Sequence, residues 1–516
     1  MKVRTFRIGG VHPAENKLTN DAVTKPAPLP QQAVFLMTQH IGAPAKPIVK
    51  EGDKVKVGTQ IAEAGGFVSA PVYSSVSGTV TKVGEAVDAT GAMKPAIYIK
   101  VEGDEWEPNI DRTDTLVTLE KHPELTPEEI VNRIKAAGVV GMGGACFPTF
   151  IKLCPPPTAK AECVIINGVE CEPYITSDYR LMLEKADQLI EGVKILMKGA
   201  KVNQGYIGVE DNKPAAIALL AQKIQEKNIQ NIEVVPLAKK YPQGGEKQLV
   251  DAVIRRQVPA PPAIPVNVGA IVQNAATAYA VYEAVMKNKP LFERICTVTG
   301  KQVKNPGNFL VRMGTPFQQL IDLCGGMPQG DNKVLAGGPM MGRAVNSLEV
   351  TVGKGQNCIT ILTEDDARRK EPMPCIKCGK CVSACPMGLE PYLLATRTAK
   401  EMWDVCEAEM ITSCIECGSC SFTCPSHRPI LDNIRKGKGT VMGIIRARAA
   451  ANAPAPAKKD APAPAAKDGA KGAAKPMSTA AKEFVPTAVP TVKPGNRPVN
   501  MPAGCRPADM SSLKSI

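Results

Sequence analysis

Residues 375–386 read CIKCGKCVSACP, and residues 414–425 repeat the same cysteine spacing as CIECGSCSFTCP. In each copy, three cysteines are separated by two residues, and a fourth follows after three residues and precedes a proline. Evenly spaced thiolates let one loop wrap three corners of an iron–sulfur cube, and soft sulfur donors match iron–sulfide cores. The repeated spacing therefore predicts two [4Fe-4S] clusters, in a domain covering residues 365–435.

The fourth cysteine of each copy is expected to bind the other copy's cluster, as in bacterial two-cluster ferredoxins. The predicted ligands are Cys375, Cys378, Cys381 and Cys424 for the first cluster and Cys414, Cys417, Cys420 and Cys385 for the second. Paired structural zinc sites are the alternative, but they usually show pairs of Cys-x-x-Cys. Disulfides explain the spacing less well, and oxygen-labile clusters belong in a reducing compartment. We therefore expect a bacterial-ferredoxin-like two-cluster domain.

The length of 516 residues exceeds a ferredoxin-sized unit and predicts about three or four domains. Apolar residues make up 44% of the chain, enough for several ordinary cores. The sequence has no run of about 18 apolar residues, and its first ten residues lack the apolar core of a signal peptide. We therefore expect a cytoplasmic chain that is soluble or peripheral to a membrane.

The positive charge of the chain is concentrated near its end. Residues 431–516 contain 15 Lys and Arg against 5 Asp and Glu, which accounts for ten of the thirteen net charges. The preceding part is nearly balanced and pairs no basic stripe with stacking aromatics, which argues against nucleic-acid binding. Residues 450–516 are rich in Ala, Pro and Lys, so we expect a disordered tail. It is either a plain linker or a cationic tether to an anionic membrane or an acidic partner.

Residues 1–105 are predicted to form an N-terminal barrel-sandwich domain. Between residues 34 and 101, Val and Ile alternate with glycines that mark turns between short strands. The pattern resembles biotinyl and lipoyl carrier domains. No lysine occurs between Lys56 and Lys82, where such carriers present their modified lysine. We therefore expect a docking or scaffold barrel without a swinging arm.

Residues 110–290 alternate between helical and strand patterns, which predicts an α/β domain around a mostly parallel sheet. Thr126 is the expected N-cap of a first helix that has Pro127 at its first position. The segments AECVIINGVE, GYIGVE and IEVVPLA read as strands, and Asp178 to Lys198 reads as one amphipathic helix.

Three loops of this domain predict a nucleotide pocket. They are GMGGACFPTFIK at 141–152, NGVECEP at 167–173 and YPQGGEKQL at 241–249. Glycines let backbone amides face a phosphate or a ring, and ligands gather at the carboxyl ends of parallel strands. The glycine loop alone is weak support, since it is not the G-x-G-x-x-G fingerprint.

These loops, followed by NVGAIVQNAATAYAVYEAV at 267–285, resemble the flavin- and NADH-binding subunit of respiratory complex I. The sequence resembles more closely the C subunits of Rnf ion-translocating electron-transport complexes, over about residues 1–430. Residues 298–326 are similar to the β-grasp ligand-binding domain of both families, here expected at 291–345. The resemblance implies a multidomain α/β and α+β protein with a complex I flavin-subunit-like domain.

The resemblance also implies non-covalent FMN, with NAD(H) as substrate above the flavin ring. The implied FMN contacts are Gly141, Gly143, Gly144, Lys152, Asn167 and Asn267, and the implied shared pocket residues are Glu170, Glu172, Tyr241, Gly244 and Glu246. Four residues depart from the complex I pattern: Met142 replaces an arginine, Val169 an acid, Gly245 a glutamate and Cys146 a glycine. These departures concern the nicotinamide contacts more than the flavin site.

The implied function is electron exchange between NADH and ferredoxin through FMN and two [4Fe-4S] clusters. The chain would be a peripheral component on the cytoplasmic face of a membrane complex that moves Na+ or H+. Its implied partners are the other Rnf subunits, including the ferredoxin-like one, and indirectly ferredoxin. We expect no catalytic acid–base dyad, because the cofactors carry the chemistry. The alternatives are an NADH-dependent cobalamin reductase and an electron-relay adaptor without nicotinamide chemistry.

Overall fold

The computed structural model describes residues 2–452. The predicted tail lies outside the described residues, except for residues 450–452 at the end of the last helix. The described regions pack against one another as one compact unit. Within residues 2–452, no helix is long and apolar enough to cross a membrane.

The N-terminal barrel is built from two small antiparallel sheets, in the orders β2-β8-β7-β4 and β3-β5-β6. The strands before residue 104 are β1 (Lys25–Pro26), β2 (Gln32–Leu36), β3 (Lys46–Pro47), β4 (Lys54–Val55), β5 (Gln60–Glu63), β6 (Val72–Tyr73), β7 (Ser77–Val87) and β8 (Met93–Gly103). In β2, Ala33 and Phe35 are buried and alternate with more exposed residues, as expected for a strand with one face on a core. The predicted barrel-sandwich is confirmed.

The next domain contains a four-stranded sheet in the order β11-β10-β9-β12, and all of its pairings are parallel. Its elements are α1 (Pro127–Ala136), α2 (Thr149–Lys152), β9 (Cys163–Gly168), α3 (Ser177–Glu184), α4 (Ala186–Gly199), β10 (Gln204–Glu210), α5 (Pro214–Glu226), β11 (Ile232–Leu237), α6 (Glu246–Ile254), β12 (Ala270–Asn274) and α7 (Ala275–Met286). The Thr126 hydroxyl accepts from the Glu129 amide at 3.2 Å, so the predicted N-cap of α1 is confirmed.

One predicted helix is divided. The segment Asp178 to Lys198 forms α3 and α4 instead of a single helix, because Lys185 leaves the helical region with φ −132°. Both helices contact α5 and α7, and the contact between α4 and α7 is the most extensive of these. The apolar periodicity of the sequence continues through this bend, so the periodicity did not reveal it.

The third region is a six-stranded mixed sheet in the order β1-β14-β13-β17-β15-β16. Its elements are β13 (Glu293–Thr299), β14 (Gly307–Arg312), α8 (Phe317–Leu323), β15 (Asn332–Ala336), β16 (Arg343–Ala344) and β17 (Cys358–Thr363), followed by α9 (Glu364–Ala367). Strand β1 crosses from the N-terminal region to pair with β14. The sheet continues to Thr363, beyond the expected boundary at residue 345. The β-grasp assignment stays a prediction.

The cysteine-rich region is helical, with no strand between residue 364 and residue 452. Its helices are α10 (Lys380–Ala384), α11 (Pro391–Ala399), α12 (Trp403–Ala408), α13 (Ser419–Phe422) and α14 (Ile430–Ala451). The two cysteine loops share a backbone shape, because Lys377 and Glu416 both have φ +57° and Gly379 and Gly418 are both left-handed. Ferredoxin-like topology stays a prediction.

Gly192 fixes the close packing of α4 on α7. A Cβ atom at Gly192 would lie 2.0 Å from the Ala278 carbonyl oxygen. We expect Gly192→Ala to lower the free energy of unfolding by about 1–3 kcal/mol, because the two helix backbones must separate. The shift of the urea unfolding midpoint measures this.

The matched control is Gly439→Ala in the exposed middle of α14, where an added Cβ meets nothing within 4 Å. It should be neutral or stabilising by about 0.5–1 kcal/mol. Equal effects of the two substitutions would contradict the packing argument.

Candidate functional site

Two asparagines mark the carboxyl edge of the parallel sheet. Asn167 near the end of β9 pairs in register with Asn274 at the end of β12. The Asn167 side-chain amide donates to the Gly244 carbonyl oxygen at 2.8 Å, and a Cβ on Gly143 would lie 3.4 Å from that of Asn274. Gly143, Asn274, Asn167 and Gly244 therefore form a continuous crescent along this edge.

The glycine loop at 141–147 is closed by its own backbone. The Gly141 amide donates to the Phe147 carbonyl oxygen at 2.8 Å, and the Cys146 amide donates to the Gly141 carbonyl oxygen at 3.1 Å. Gly144 has φ +110°, a conformation that favours glycine, and a Cβ there would meet nothing within 4 Å. Gly143 and Gly144 are exposed, so this open backbone fits a phosphate or a planar ring at close range.

A buried arginine of β13, Arg294, donates hydrogen bonds that hold the glycine loop in place. The Arg294 guanidinium donates to the Met142 carbonyl oxygen at 3.2 Å and to the Lys354 carbonyl oxygen at 2.5 Å. The Met142 amide donates to the Thr277 hydroxyl at 2.8 Å, and only 4% of Met142 is exposed. Met142 and the fully buried Val169, two of the departures from the complex I pattern, are therefore core residues.

Lys152 and Glu246 form an ion pair beside the crescent. The Lys152 ammonium lies 2.6 Å from a Glu246 carboxylate oxygen and donates to the Val272 carbonyl oxygen at 3.0 Å. Both side chains are partly exposed. Each charge is partly neutralised by the other, so a ligand phosphate would have to share Lys152 with Glu246.

The predicted acids Glu170 and Glu172 are engaged by backbone amides. The Glu170 carboxylate accepts from the Asp178 amide at 2.7 Å and the Tyr179 amide at 3.2 Å, so it caps α3. The Glu172 carboxylate accepts from the amides of Met340 at 2.6 Å and Met341 at 3.1 Å. Both acids therefore hold the protein together at this edge and do not project freely into the pocket.

One buried lysine, Lys213, and one half-buried lysine, Lys17, lie next to these acids. The Lys17 ammonium donates to three carbonyl oxygens, those of Glu170, Glu172 and Ile175. The Lys213 ammonium, 2% exposed, donates to the Val169 carbonyl oxygen at 2.8 Å. Burial lowers the pKa of Lys17 and raises the pKa of Glu170 to about 7. No sequence pattern indicated this lysine pair.

Tyr241 joins the α/β domain to the cysteine-rich region. Its hydroxyl donates to the Cys417 carbonyl oxygen at 2.8 Å, and the residue is only 2% exposed. Burial and the neighbouring Glu172 hold the pKa of Tyr241 well above its ordinary value, so the hydroxyl remains a donor. A pocket-lining role was predicted for Tyr241, but its ring is enclosed at this interface.

Four of the eight motif cysteines line one cavity. They are Cys385, Cys414, Cys417 and Cys420, and the other lining residues are apolar apart from backbone groups. Of the described residues, no Asp, Glu or His lines this cavity, so its side-chain donors are the four cysteine thiols and the Met387 thioether. Burial raises the pKa of Cys414 to about 11 and that of Cys420 to about 12. A soft, positively charged iron–sulfur core fits such thiols, because iron reverses the preference for the neutral form.

Three family models match the chain. The description of one is "Nuo51 FMN-binding domain", matched by residues 134–283, and that of another is "RnfC Barrel sandwich hybrid domain", matched by residues 5–104. The third, "SLBB domain", matches residues 295–344. The glycine loop and the asparagine crescent lie within the FMN-binding match.

Curated relatives match over most of their length. The C subunit of the proton-translocating ferredoxin:NAD(+) oxidoreductase complex of Clostridium ljungdahlii is 41% identical, over 79% of this chain and 87% of the relative. The C subunit of the Na(+)-translocating ferredoxin:NAD(+) oxidoreductase complex of Acetobacterium woodii is 42% identical, over 86% of this chain and 98% of the relative. The C subunit of the ion-translocating oxidoreductase complex of Rhodobacter capsulatus is 40% identical, over 77% of this chain and 75% of the relative. The chain belongs to the RnfC family.

The structure places one predicted flavin contact of this RnfC-family protein elsewhere. Asn267 precedes β12, whose first residue pairs with Cys163 at the start of β9, so Asn267 lies at the opposite edge of the sheet from Asn167. Its side-chain oxygen accepts from the Ile264 amide at 2.8 Å. The structure therefore does not bring Asn267 to the crescent.

Asn274 is at the crescent instead, and it was missed. It caps α7 by accepting from the Thr277 amide at 3.2 Å, and its side-chain amide donates to Asp178 at 2.6 Å. An asparagine just before the apolar run AATAYAVYEAV is an N-cap signal, and it could have identified this position in the RnfC-family chain.

Replacing Glu170 should change how stability depends on pH. Between its ordinary pKa of 4.5 and its raised pKa of about 7, Glu170 holds a proton in the folded chain that the unfolded chain has released. Its stabilising contribution is therefore complete below the lower value and is lost as pH rises through about 7. Glu170→Gln should flatten this decline, which for one proton is at most about 1.4 kcal/mol per pH unit. Urea unfolding at several pH values measures it.

Glu128→Gln is the control, because Glu128 is exposed and its pKa is lowered by Lys201, below this pH range. It should keep the slope of the unsubstituted chain. An unchanged slope in Glu170→Gln would contradict the raised pKa of Glu170.

Proposed function

We propose that this chain is the nicotinamide-facing subunit of an ion-translocating complex, passing electrons between NAD(H) and ferredoxin through FMN and two [4Fe-4S] clusters. One observation carries the proposal. The hydrogen bond from Tyr241 to the Cys417 carbonyl joins the domain matched by the FMN-binding model to the cavity lined by four cysteines. The proposed flavin site and the proposed cluster site would thus be adjacent in one chain.

The ligands proposed for the inner cluster are the cavity cysteines Cys385, Cys414, Cys417 and Cys420. Those proposed for the outer cluster are Cys375, Cys378, Cys381 and Cys424. One observation supports the crossed assignment: Cys385 from the first motif lines the cavity with three cysteines of the second. The shared left-handed glycines fit two loops that each wrap a cluster.

The two proposed clusters differ in their surroundings. Cys385, Cys417 and Cys420 are buried, whereas Cys375 and Cys378 are exposed. We infer that the inner cluster exchanges electrons with the flavin and the outer one with a partner protein. The proposed partners are the other subunits of the Rnf complex, including its ferredoxin-like subunit, at the cytoplasmic face of the membrane.

The residues proposed to hold FMN are those of the glycine loop and the crescent: Gly141, Gly143, Gly144, Asn167, Gly244 and Asn274, with the Lys152–Glu246 pair beside them. Asn274 takes the place predicted for Asn267. Bound FMN would supply the conversion of two-electron hydride chemistry into single-electron steps. The protein orients it, because the backbone amides of the loop and the amide side chains of the crescent are already held in place by hydrogen bonds.

The proposed function is tested by titrating the purified, anaerobically reconstituted chain with NADH. Flavin absorbance should fall promptly, and the EPR signals of reduced [4Fe-4S] clusters should follow. Clusters that assemble but stay oxidised, beside a flavin that NADH does not bleach, would favour the relay adaptor without nicotinamide chemistry. Reduction of a corrinoid by the same preparation would favour the cobalamin reductase.

The site is tested in the same assay with a pair of glycines. Gly144 and Gly330 both have positive φ, of +110° and +83°, and an added Cβ meets nothing within 4 Å at either. An alanine should therefore cause comparable backbone strain at the two positions, but only Gly144 lies at the proposed FMN site. Gly144→Ala should lower the bound FMN per chain about tenfold, and Gly330→Ala should leave it unchanged.

The crossed cluster ligation predicts opposite effects of two cysteine substitutions. Cys385→Ala should remove the inner cluster and Cys424→Ala the outer one, so each variant should hold about half of the iron and lose the magnetic interaction between clusters. Iron analysis and EPR measure this. Cys406→Ala, at a buried cysteine outside both motifs, should keep both clusters. Loss of the same cluster in the first two variants would contradict the crossing.

A further inference from the structure

Two loops of the barrel form part of the rim around the glycine loop. The Ile41 amide donates to the Cys146 carbonyl oxygen at 3.1 Å, which joins the barrel loop at 41–44 to the glycine loop. The Ala43 amide donates to the Val68 carbonyl oxygen at 2.9 Å, which joins that barrel loop to the turn at 65–68. The barrel therefore borders the proposed nucleotide site without belonging to the flavin fold.

Phe67 stands on this rim with most of its ring in solvent. It is 78% exposed, more than any other large apolar side chain among residues 2–452. Among the described residues, its one aromatic neighbour is Phe150, in the short helix after the glycine loop. The two ring centroids are 6.4 Å apart, and the ring planes meet at 81°. An edge-to-face pair leaves a ring face open for stacking.

The turn that carries Phe67 is held in place. The Gly65 amide donates to the Ser69 hydroxyl at 2.9 Å, and that hydroxyl donates to the Ala43 carbonyl oxygen at 2.9 Å. Ser69 is buried. Exposing an aromatic ring on a fixed turn costs solvation free energy, which a stacked ligand ring would recover.

A cation lies over the ring of Phe150, the aromatic neighbour of Phe67. The Lys135 ammonium is 5.3 Å from the centre of the Phe150 ring, and Lys135 has no carboxylate partner within the described part of the chain. An exposed aromatic ring and an unpaired ammonium, both against Phe150, suit a base attached to phosphate.

We propose that Phe67 and Lys135 form a subsite for the adenosine half of NAD(H), with Phe67 stacking on the adenine ring and Lys135 facing a phosphate. This proposal rests on the proposed function. FMN has no purine, and its proposed contacts lie along the crescent at the sheet edge. NAD(H) is a dinucleotide, so when its nicotinamide is at the flavin its second half must extend outward to the rim.

The experiment follows flavin reduction by stopped flow in the full chain loaded with FMN and clusters, with either NADH or reduced nicotinamide mononucleotide as donor. The mononucleotide lacks the adenosine half. Phe67→Ala should raise the half-saturating NADH concentration about tenfold, with an unchanged limiting rate and an unchanged response to the mononucleotide. Phe67→Trp should keep NADH binding near that of the unsubstituted chain. Lys135→Met should weaken NADH binding and leave the response to the mononucleotide unchanged.

Ile48→Ala is the matched control, since Ile48 is an exposed apolar residue of the same barrel, outside the two rim loops, and should behave as the unsubstituted chain. If Phe67→Ala weakens the binding of both electron donors equally, or loses FMN, then Phe67 contacts the nicotinamide or the flavin instead of the adenine. Either result would overturn the proposal. No change in either donor would also overturn it.

The subsite can fail separately from the proposed function. If NADH does not reduce the unsubstituted chain, the proposed function fails, and calorimetry with ADP-ribose then tests the subsite directly. Weaker ADP-ribose binding in Phe67→Ala than in Ile48→Ala would support the subsite. Equal binding in the two variants would overturn it.

Discussion

The N-terminal arm between Arg4 and Val11 is the constraint on which the arrangement of the two cofactor regions depends. Val11 exchanges backbone hydrogen bonds with Tyr241, and the neighbouring Gly10 amide donates to the Ala384 carbonyl oxygen at 3.0 Å. Gly9 has φ +69°, and a Cβ there would lie 2.4 Å from the Cys385 carbonyl group. Only glycine allows this approach, so the arm holds the cysteine loop directly against the α/β domain.

The same junction explains the buried charges. Lys17 follows the arm and is surrounded by carbonyl oxygens of the 170–175 loop, while Glu172 is held by amides of the third region. Charged groups with several hydrogen bonds are costly to separate from their partners. Such a network couples the arm, the loop after β9 and the third region, so that none of them moves independently at the sheet edge.

Local patterns were enough to predict the parallel sheet, the N-cap at Thr126 and the glycine loop, because each depends on residues close together in the chain. The enclosure of Tyr241 was not predictable, because it depends on the contact with the distant Cys417, and the apolar periodicity of the sequence gave no sign of the bend at Lys185. Asn267 and Asn274 illustrate the difference. Both lie in one motif, but the strand β12 between them carries them to opposite edges of the sheet.

The two cysteine motifs have the same spacing, but the fold gives their cysteines unequal surroundings. Cys417 meets Tyr241, and Gln248 donates to the carbonyl oxygen of Pro386, so the cavity containing Cys385 is covered by the α/β domain. The loop containing Cys375 and Cys378 has no such cover and is exposed throughout residues 371–380. A shielded site has a lower effective dielectric, so adding an electron there costs more unless hydrogen bonds compensate. The Leu389 and Glu416 amides donate to the sulfurs of Cys385 and Cys414, both at 3.4 Å, and would supply such compensation for the proposed inner cluster.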